Sequence, residues 1–196
     1  ITSPAGNKVF MREFENDSTT RVADEKALLL QFATFLKLAD LDVLCTYHGD
    51  GFDFPFIHDR AEHHKLKLDF GFGSPQLVTK GTIREARVKG MIHLDVLQLA
   101  RLLTRFQALK TLKLDLASVM QAVFGEGEKS LTPVQIQEAW KTKTNLDKLA
   151  LYNLHDTLFT QRLAQEFLPL LLELSKIVRQ PLYDTSRSTA SQLVES

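Results

Sequence analysis

The chain has 196 residues, of which 44% are hydrophobic, which is enough for one sizeable domain with its own core. Its 24 basic and 24 acidic residues cancel, so the net charge gives no general attraction to a polyanion, although a local basic face stays possible. The single cysteine, Cys45, excludes an internal disulfide and makes a cysteine zinc site implausible.

The first part of the chain is predicted to alternate strands and helices. Residues Lys8–Phe14, "KVFMREF", are typical of a strand, and "DSTTRV" of a loop. A helical apolar pattern starts at Asp24, and the apolar run Asp42–Tyr47 predicts a buried strand. "HGDG" then breaks that strand, and "FDFPFIHDRAEHH" predicts a helix with Pro55 in its first turn.

Further along, the segment from Lys65 to Lys80 is glycine-rich and is predicted to be irregular. "REARVKGMIHLDV" alternates and predicts two strands pairing around Gly90. Helices follow in "VLQLARLLTRF", in "LDLASVMQAVFG" up to Gly125, from Thr132 with Pro133 in the first turn, and from about Leu146 to about Lys176 with a kink at Pro169. This order favours an α/β domain with helices against a small sheet.

Asp53 lies between two phenylalanines, directly after a predicted strand and a glycine-containing loop. An acid in an apolar run is costly unless something binds it, and α/β sheets place functional residues at strand ends. A metal ion is the candidate partner. The alternative, which the spacing leaves open, is that Asp53 only caps the following helix.

A second candidate position is "LYNLHDTLF", where Tyr152 and Asp156 are four residues apart and therefore share one helix face. The surrounding leucines predict a helix that is buried on most sides. Asp156 could bind a hard divalent ion such as Mg²⁺ or Mn²⁺, and the phenol of Tyr152 could orient an attacking water. A local surface pair is the alternative.

Several segments, taken in order, resemble the 3′→5′ exonuclease region of family B DNA polymerases, most closely the archaeal type. "DLDVLCTYHGDGFDFPFIHDRA" resembles the second exonuclease motif, and "YNLHDT" resembles the third, a Tyr-x3-Asp pattern. "VKGMIHLDVLQLARL" and "AVFGEGEKSLTPVQIQEAW" resemble stretches between these motifs. "QPLYDTSRSTASQLVE" resembles the passage from the exonuclease domain to the polymerase palm.

The resemblance implies a ribonuclease H-like (DnaQ-like) α/β fold, with a mixed sheet flanked by helices. It implies hydrolysis of the 3′-terminal phosphodiester of single-stranded DNA by two Mg²⁺ or Mn²⁺ ions. Asp53 and Asp156 would be metal ligands, Tyr152 would position the water, and Phe52 would pack near the terminal nucleotide.

The same resemblance implies an exonuclease-like domain over residues 1–180, with residues 181–196 starting the connection to a palm domain. The partners would be a DNA 3′ end and the remainder of a polymerase chain or a companion subunit. Because the chain begins at Ile1 without a methionine, we expect a segment of a longer protein. No apolar run reaches the length of a membrane span, so we expect a soluble intracellular protein, in the cytoplasm or nucleoid of a prokaryote.

Two features depart from the family. Its first motif, Asp-x-Glu on the opening strand, is absent, so the opening strand is expected to be missing from this chain; "EFE", Glu13 to Glu15, belongs to another strand. His48 replaces an asparagine that lies near the substrate strand in the family. Since two carboxylates do not neutralise two divalent ions, we expect weak or no hydrolysis by this segment alone.

Two other functions remain open at this stage. One is a non-catalytic exonuclease-fold module with a structural or single-stranded-DNA-binding role. Its basic candidates for DNA contact are Lys80, Arg84, Arg87 and Lys89. The other is an unrelated ribonuclease H-like nuclease, although the "SRST" sequence favours the polymerase.

Overall fold

The computed structural model describes residues 1–3, 6–12, 15, 19–70, 73–80, 83–127 and 131–194. Glu13 and Phe14 lie outside these ranges; they end the predicted first strand and make up most of the "EFE" sequence. The side chain of Lys80 also lies outside the described part. No helix in the described ranges is both long and apolar enough to cross a membrane.

The described strands are short and pair two by two. The pairs β1–β2 and β6–β7 are antiparallel, whereas β3–β4 and β5–β8 are parallel, so the domain combines both strand orientations as expected. The strands are β1 Thr2–Ser3, β2 Gly6–Asn7, β3 Val9–Met11, β4 Thr19–Arg21, β5 Val43–Thr46, β6 Gln76–Lys80, β7 Ile83–Arg87 and β8 Ile92–Asp95.

The predicted pairing around Gly90 is wrong. Strand β7 pairs with β6, which lies in the segment predicted to be irregular, and β8 pairs with β5. The reason is visible in β8, "IHLD", whose last three residues are all buried, because a parallel strand covered on both faces does not alternate. Strand β4 falls in the predicted loop "DSTTRV", where it pairs with β3.

The helices agree better with the sequence because their termini carry recognisable signals. Asp24, Asp95, Asp115 and Thr132 accept N-capping hydrogen bonds, and Gly125 ends a helix at φ 72°. The helices are α1 Glu25–Leu38, α2 Phe54–His63, α3 Val96–Arg105, α4 Leu116–Phe124, α5 Pro133–Thr142, α6 Leu146–Val178, α7 Leu182–Thr185 and α8 Ala190–Val194.

Strand β5 lies between the two largest hydrophobic clusters. Val43 and Cys45 pack against the cluster that α3, α4 and α6 build, whereas Leu44 packs against the cluster of α1 and α2. This alternation is the two-residue period of a strand. One edge of β5 pairs with β8, and among the described strands none pairs with the other edge. The loop that follows β5 therefore emerges between both helical layers.

Candidate active site

The candidate site begins in the loop after β5. Residues Gly49–Asp53 form one turn of π-helix, a rare conformation that often occurs at functional sites, and α2 follows directly. The turn was not predicted, since "HGDG" was interpreted only as a strand break. Asp53 precedes α2, but its side chain makes no capping hydrogen bond. The alternative that Asp53 is merely a helix cap is therefore wrong.

The end of β8 holds this loop in place. Asp95, which is fully buried, accepts hydrogen bonds from the backbone N–H of His48 at 2.8 Å and of Asp50 at 3.0 Å. It also caps α3 by accepting a hydrogen bond from the N–H of Leu97. Burial raises the pKa of Asp95, while these three N–H groups oppose that shift. One carboxylate thus joins the end of β8 to the start of the π-helix.

Asp53 and Asp156 line the same cavity of about 600 Å³, between β5, α1 and α6. Burial raises the pKa of Asp53, and the nearby charge of Asp95 adds to the effect. A cation beside Asp53 would reduce the cost of keeping this acid charged at neutral pH. Apart from Asp53 and Asp156, much of the lining is apolar, as at Phe32, Leu36, Val43, Leu44, Cys45, Phe54, Ala164 and Leu168.

The other predicted site residues lie close to Asp53 or Asp156 in the sequence. Tyr152 is half-buried one turn before Asp156 on α6, and it is not among the residues that line the cavity. Phe52 is 62% exposed and stacks on Phe56, with ring centroids 6.1 Å apart and planes 8° apart. His48 is exposed and has a left-handed backbone conformation at φ 69°.

Oxygen donors at Asp53 and Asp156 suit a hard divalent cation better than a soft one. Within the described ranges, no group of three or more histidine, cysteine, aspartate or glutamate side chains is arranged to hold a metal ion. Within the part of the chain that the structure describes, Asp53 and Asp156 therefore do not belong to a full set of metal ligands.

Sequence reasoning did not identify a second polar cluster beneath the loop. The side chains of Asp50 and Arg187 are 1% and 6% exposed, and they form two hydrogen bonds with each other, at 2.9 and 3.1 Å. The ring of His93, which is fully buried, lies 3.4 Å from Asp50 and 3.2 Å from Arg187. A signal was present in "HLD", where a histidine and an acid stand in an apolar strand.

Comparison with known proteins agrees with this arrangement. The family described as DNA polymerase family B, exonuclease domain, matches residues 4–118. The chain is 35% identical over 176 residues to a DNA polymerase of Pyrococcus glycovorans, covering 89% of this chain and 22% of that protein. It is 36% identical over 178 residues to a DNA polymerase of Thermococcus kodakarensis, covering 89% of this chain and 10% of that protein.

A solved structure, the family B DNA polymerase of Pyrobaculum calidifontis, matches with a TM-score of 0.72 and 26% identity, over 88% of this chain and 22% of that one. The chain thus spans about a fifth or less of the relatives it matches. The family match covers more than half of the chain, and the structural match confirms the expected ribonuclease H-like arrangement. The chain therefore belongs to the exonuclease domain of the family B DNA polymerases.

Proposed function

We propose that this chain serves, within a longer DNA polymerase, as a proofreading exonuclease that removes the 3′-terminal nucleotide of single-stranded DNA. The observation that carries the proposal is that Asp53 and Asp156, far apart in the sequence, line one cavity. The setting would be intracellular and soluble, as for any enzyme of DNA replication.

In this proposal Asp53 and Asp156 hold Mg²⁺ or Mn²⁺ through their carboxylate oxygens. Bound divalent ions would activate a water and stabilise the leaving 3′ oxygen. Tyr152 lies one turn from Asp156 on the same helix, and in this proposal its hydroxyl orients that water. Phe52, exposed next to Asp53, offers a flat surface on which the terminal base would stack, and His48, exposed at the start of the same loop, would contact the DNA strand.

Two carboxylates leave much of the charge of two divalent ions uncompensated. We propose that further acidic ligands come from another strand of the full-length protein, for which the second edge of β5 along the cavity is a suitable place. The 196-residue chain alone is then expected to bind metal weakly and to hydrolyse DNA poorly. If the domain is instead a non-catalytic module, the full-length protein should also bind the metal weakly.

We also propose that the exonuclease unit ends near residue 180 and that residues 181–196 start the connection to the polymerase palm. In support, the helix α6 ends at Val178, and the short helices α7 and α8 follow it.

The test is degradation of 3′-labelled single-stranded DNA by the full-length protein with Mg²⁺. Asp53→Asn and Asp156→Asn are each expected to lower the rate by at least about 100-fold, because either change removes a charged metal ligand. Asp59→Asn, an exposed acid on α2, is the matched control and is expected to leave the rate unchanged. Equal rates in the wild type and the Asp53→Asn variant would overturn the proposal.

A further inference from the structure

The loop that ends at Asp53 is anchored by a residue that lies far along the chain. Arg187 follows α7, and its guanidinium reaches back to the carboxylate of Asp50 inside the π-helix. Nε donates to one carboxylate oxygen at 2.9 Å and Nη2 to the other at 3.1 Å, so the contact is a two-point ion pair. Such a pair fixes the orientation of both planar groups as well as their separation.

Burial makes this ion pair a rigid contact. A charge this deeply buried is stable only when it is paired and hydrogen-bonded. Asp50 meets the condition, since it also accepts the backbone N–H of Ala86 at 2.8 Å. Nη1 of Arg187 donates to the carbonyl oxygens of His93 and Tyr183, each at 3.2 Å.

The segment that carries Arg187 is itself attached to β7. The guanidinium of Arg187 lies 3.9 Å from the ring centroid of Tyr183, and that of Arg87 lies 4.5 Å from the same centroid. Arg87 also pairs with Asp184 at 3.2 Å. Arg187 therefore contacts Asp50 from a segment that is itself held against β7.

We propose that Arg187 is a positioning residue: by holding Asp50, it fixes the π-helix whose last residue is Asp53, and so places that carboxylate for metal binding. The last step rests on the proposed function of Asp53. In this arrangement the segment after α6 controls the geometry of the metal-binding loop, and Arg187 acts through Asp50 from a buried position beneath that loop.

The experiment compares the full-length wild type with Arg187→Gln, using two measurements. Amide hydrogen exchange of residues 49–54 is expected to become about tenfold faster or more, because the loop loses its anchor. The dissociation constant for Mn²⁺ at the Asp53-dependent site is expected to rise about tenfold, as for other residues that support metal ligands. Raising the Mn²⁺ concentration should then restore the rate of DNA degradation.

The matched control is Arg60→Gln, which removes another Arg–carboxylate pair, between α2 and Glu25 of α1. It is expected to speed exchange in α1 and α2 without changing Mn²⁺ affinity. If Arg187→Gln does not fold, Asp50→Asn/Arg187→Gln leaves no unpaired buried charge and should show the same two effects.

The possible results test different parts of the proposal. Unchanged exchange of residues 49–54 in Arg187→Gln would overturn the inference whatever the metal does. Faster exchange with unchanged Mn²⁺ affinity would overturn the link to Asp53. If Asp53→Asn does not alter Mn²⁺ binding by the wild type, the proposed function fails instead, and the exchange measurement still decides whether Arg187 holds the loop.

Discussion

At the scale of single residues, His93 lies beneath the π-helix Gly49–Asp53, and its burial disfavours the protonated form of its ring. Its Nε2 lies 2.9 Å from the hydroxyl of Thr46, and its Nδ1 lies 3.0 Å from the carbonyl oxygen of Ala86. Burial lowers the pKa of His93 to about 4, the positive charge of Arg187 acts in the same direction, and Asp50 opposes both. The histidine is therefore neutral in the folded protein at physiological pH.

This shift predicts a loss of stability in acid. The unfolded chain protonates His93 near pH 6.5, whereas the folded chain does so only near pH 4, so protons favour the unfolded state between these values. The free energy of unfolding should fall by up to about 3 kcal/mol over this range. Urea denaturation at pH 7, 5.5 and 4 measures it.

Substitution separates His93 from the other titrating groups. His93→Gln should reduce the acid-dependent loss, whereas His58→Gln, whose side chain is 49% exposed, should not. An identical pH dependence in the wild type and His93→Gln would show that this histidine does not carry the effect.

The exposed pair Phe52 and Phe56 gives a second residue-scale prediction. Phe52→Ala should weaken binding of a short oligo-dT by roughly 10-fold, because base stacking on an aromatic ring contributes about 1–3 kcal/mol. Binding is measured with Ca²⁺ in place of Mg²⁺ to prevent hydrolysis. Leu38→Ala, an exposed apolar residue at the end of α1, is the control. A change below twofold for Phe52→Ala would exclude a stacking role.

Residue types and spacing made Asp53 and Asp156 candidates, since an acid in an apolar setting is unusual, but they left a helix cap and a local surface pair open as alternatives. They were insufficient for Asp50 and Arg187, which are 137 positions apart and look like ordinary loop residues. Burial gives these two residues their importance, and burial of a loop depends on tertiary packing that no local pattern contains.

At the scale of elements, the π-helix Gly49–Asp53 is packed tightly against the end of β5. A Cβ atom at Gly49 would lie only 2.1–2.9 Å from three side-chain atoms of Thr46, a short side chain that cannot move away. At Gly51, the Cβ would instead lie 2.5 Å from the ring of His48. That side chain is exposed, so it can rotate away.

Alanine substitutions at these two glycines of the same loop are therefore expected to destabilise the protein to different extents. Gly49→Ala should destabilise the protein by about 1–3 kcal/mol and lower exonuclease activity, because the π-helix must shift. Gly51→Ala should cost less than about 1 kcal/mol. Thermal unfolding and the DNA degradation assay measure both variants, and equal losses for the two would contradict this account of the loop.

Helices were predicted better than strand partners for a physical reason. A helix is specified by its own caps and periodicity, as Thr132 and Gly125 show. A strand such as β8 is specified by its neighbours, and β5 lies far from it in the sequence. The burial of β8 in a parallel pair also removes the alternation by which strands are recognised.

At the scale of the whole molecule, the fold brings together the turn after β5 and the middle of α6. The sequence predicted an α/β domain of the exonuclease family, and the family and structural matches confirm it. The shared cavity could not be predicted from either motif alone, because it depends on how α6 packs across the sheet through buried residues such as Leu163.

The central claim is that Asp53 and Asp156 bind one divalent cation. The most direct measurement is anomalous diffraction at the manganese edge from Mn²⁺-soaked crystals of the full-length protein. We predict a peak in the cavity between β5 and α6, about 2 Å from a carboxylate oxygen of each aspartate. A peak held by other residues, with Asp53 and Asp156 turned away from each other, would contradict the claim.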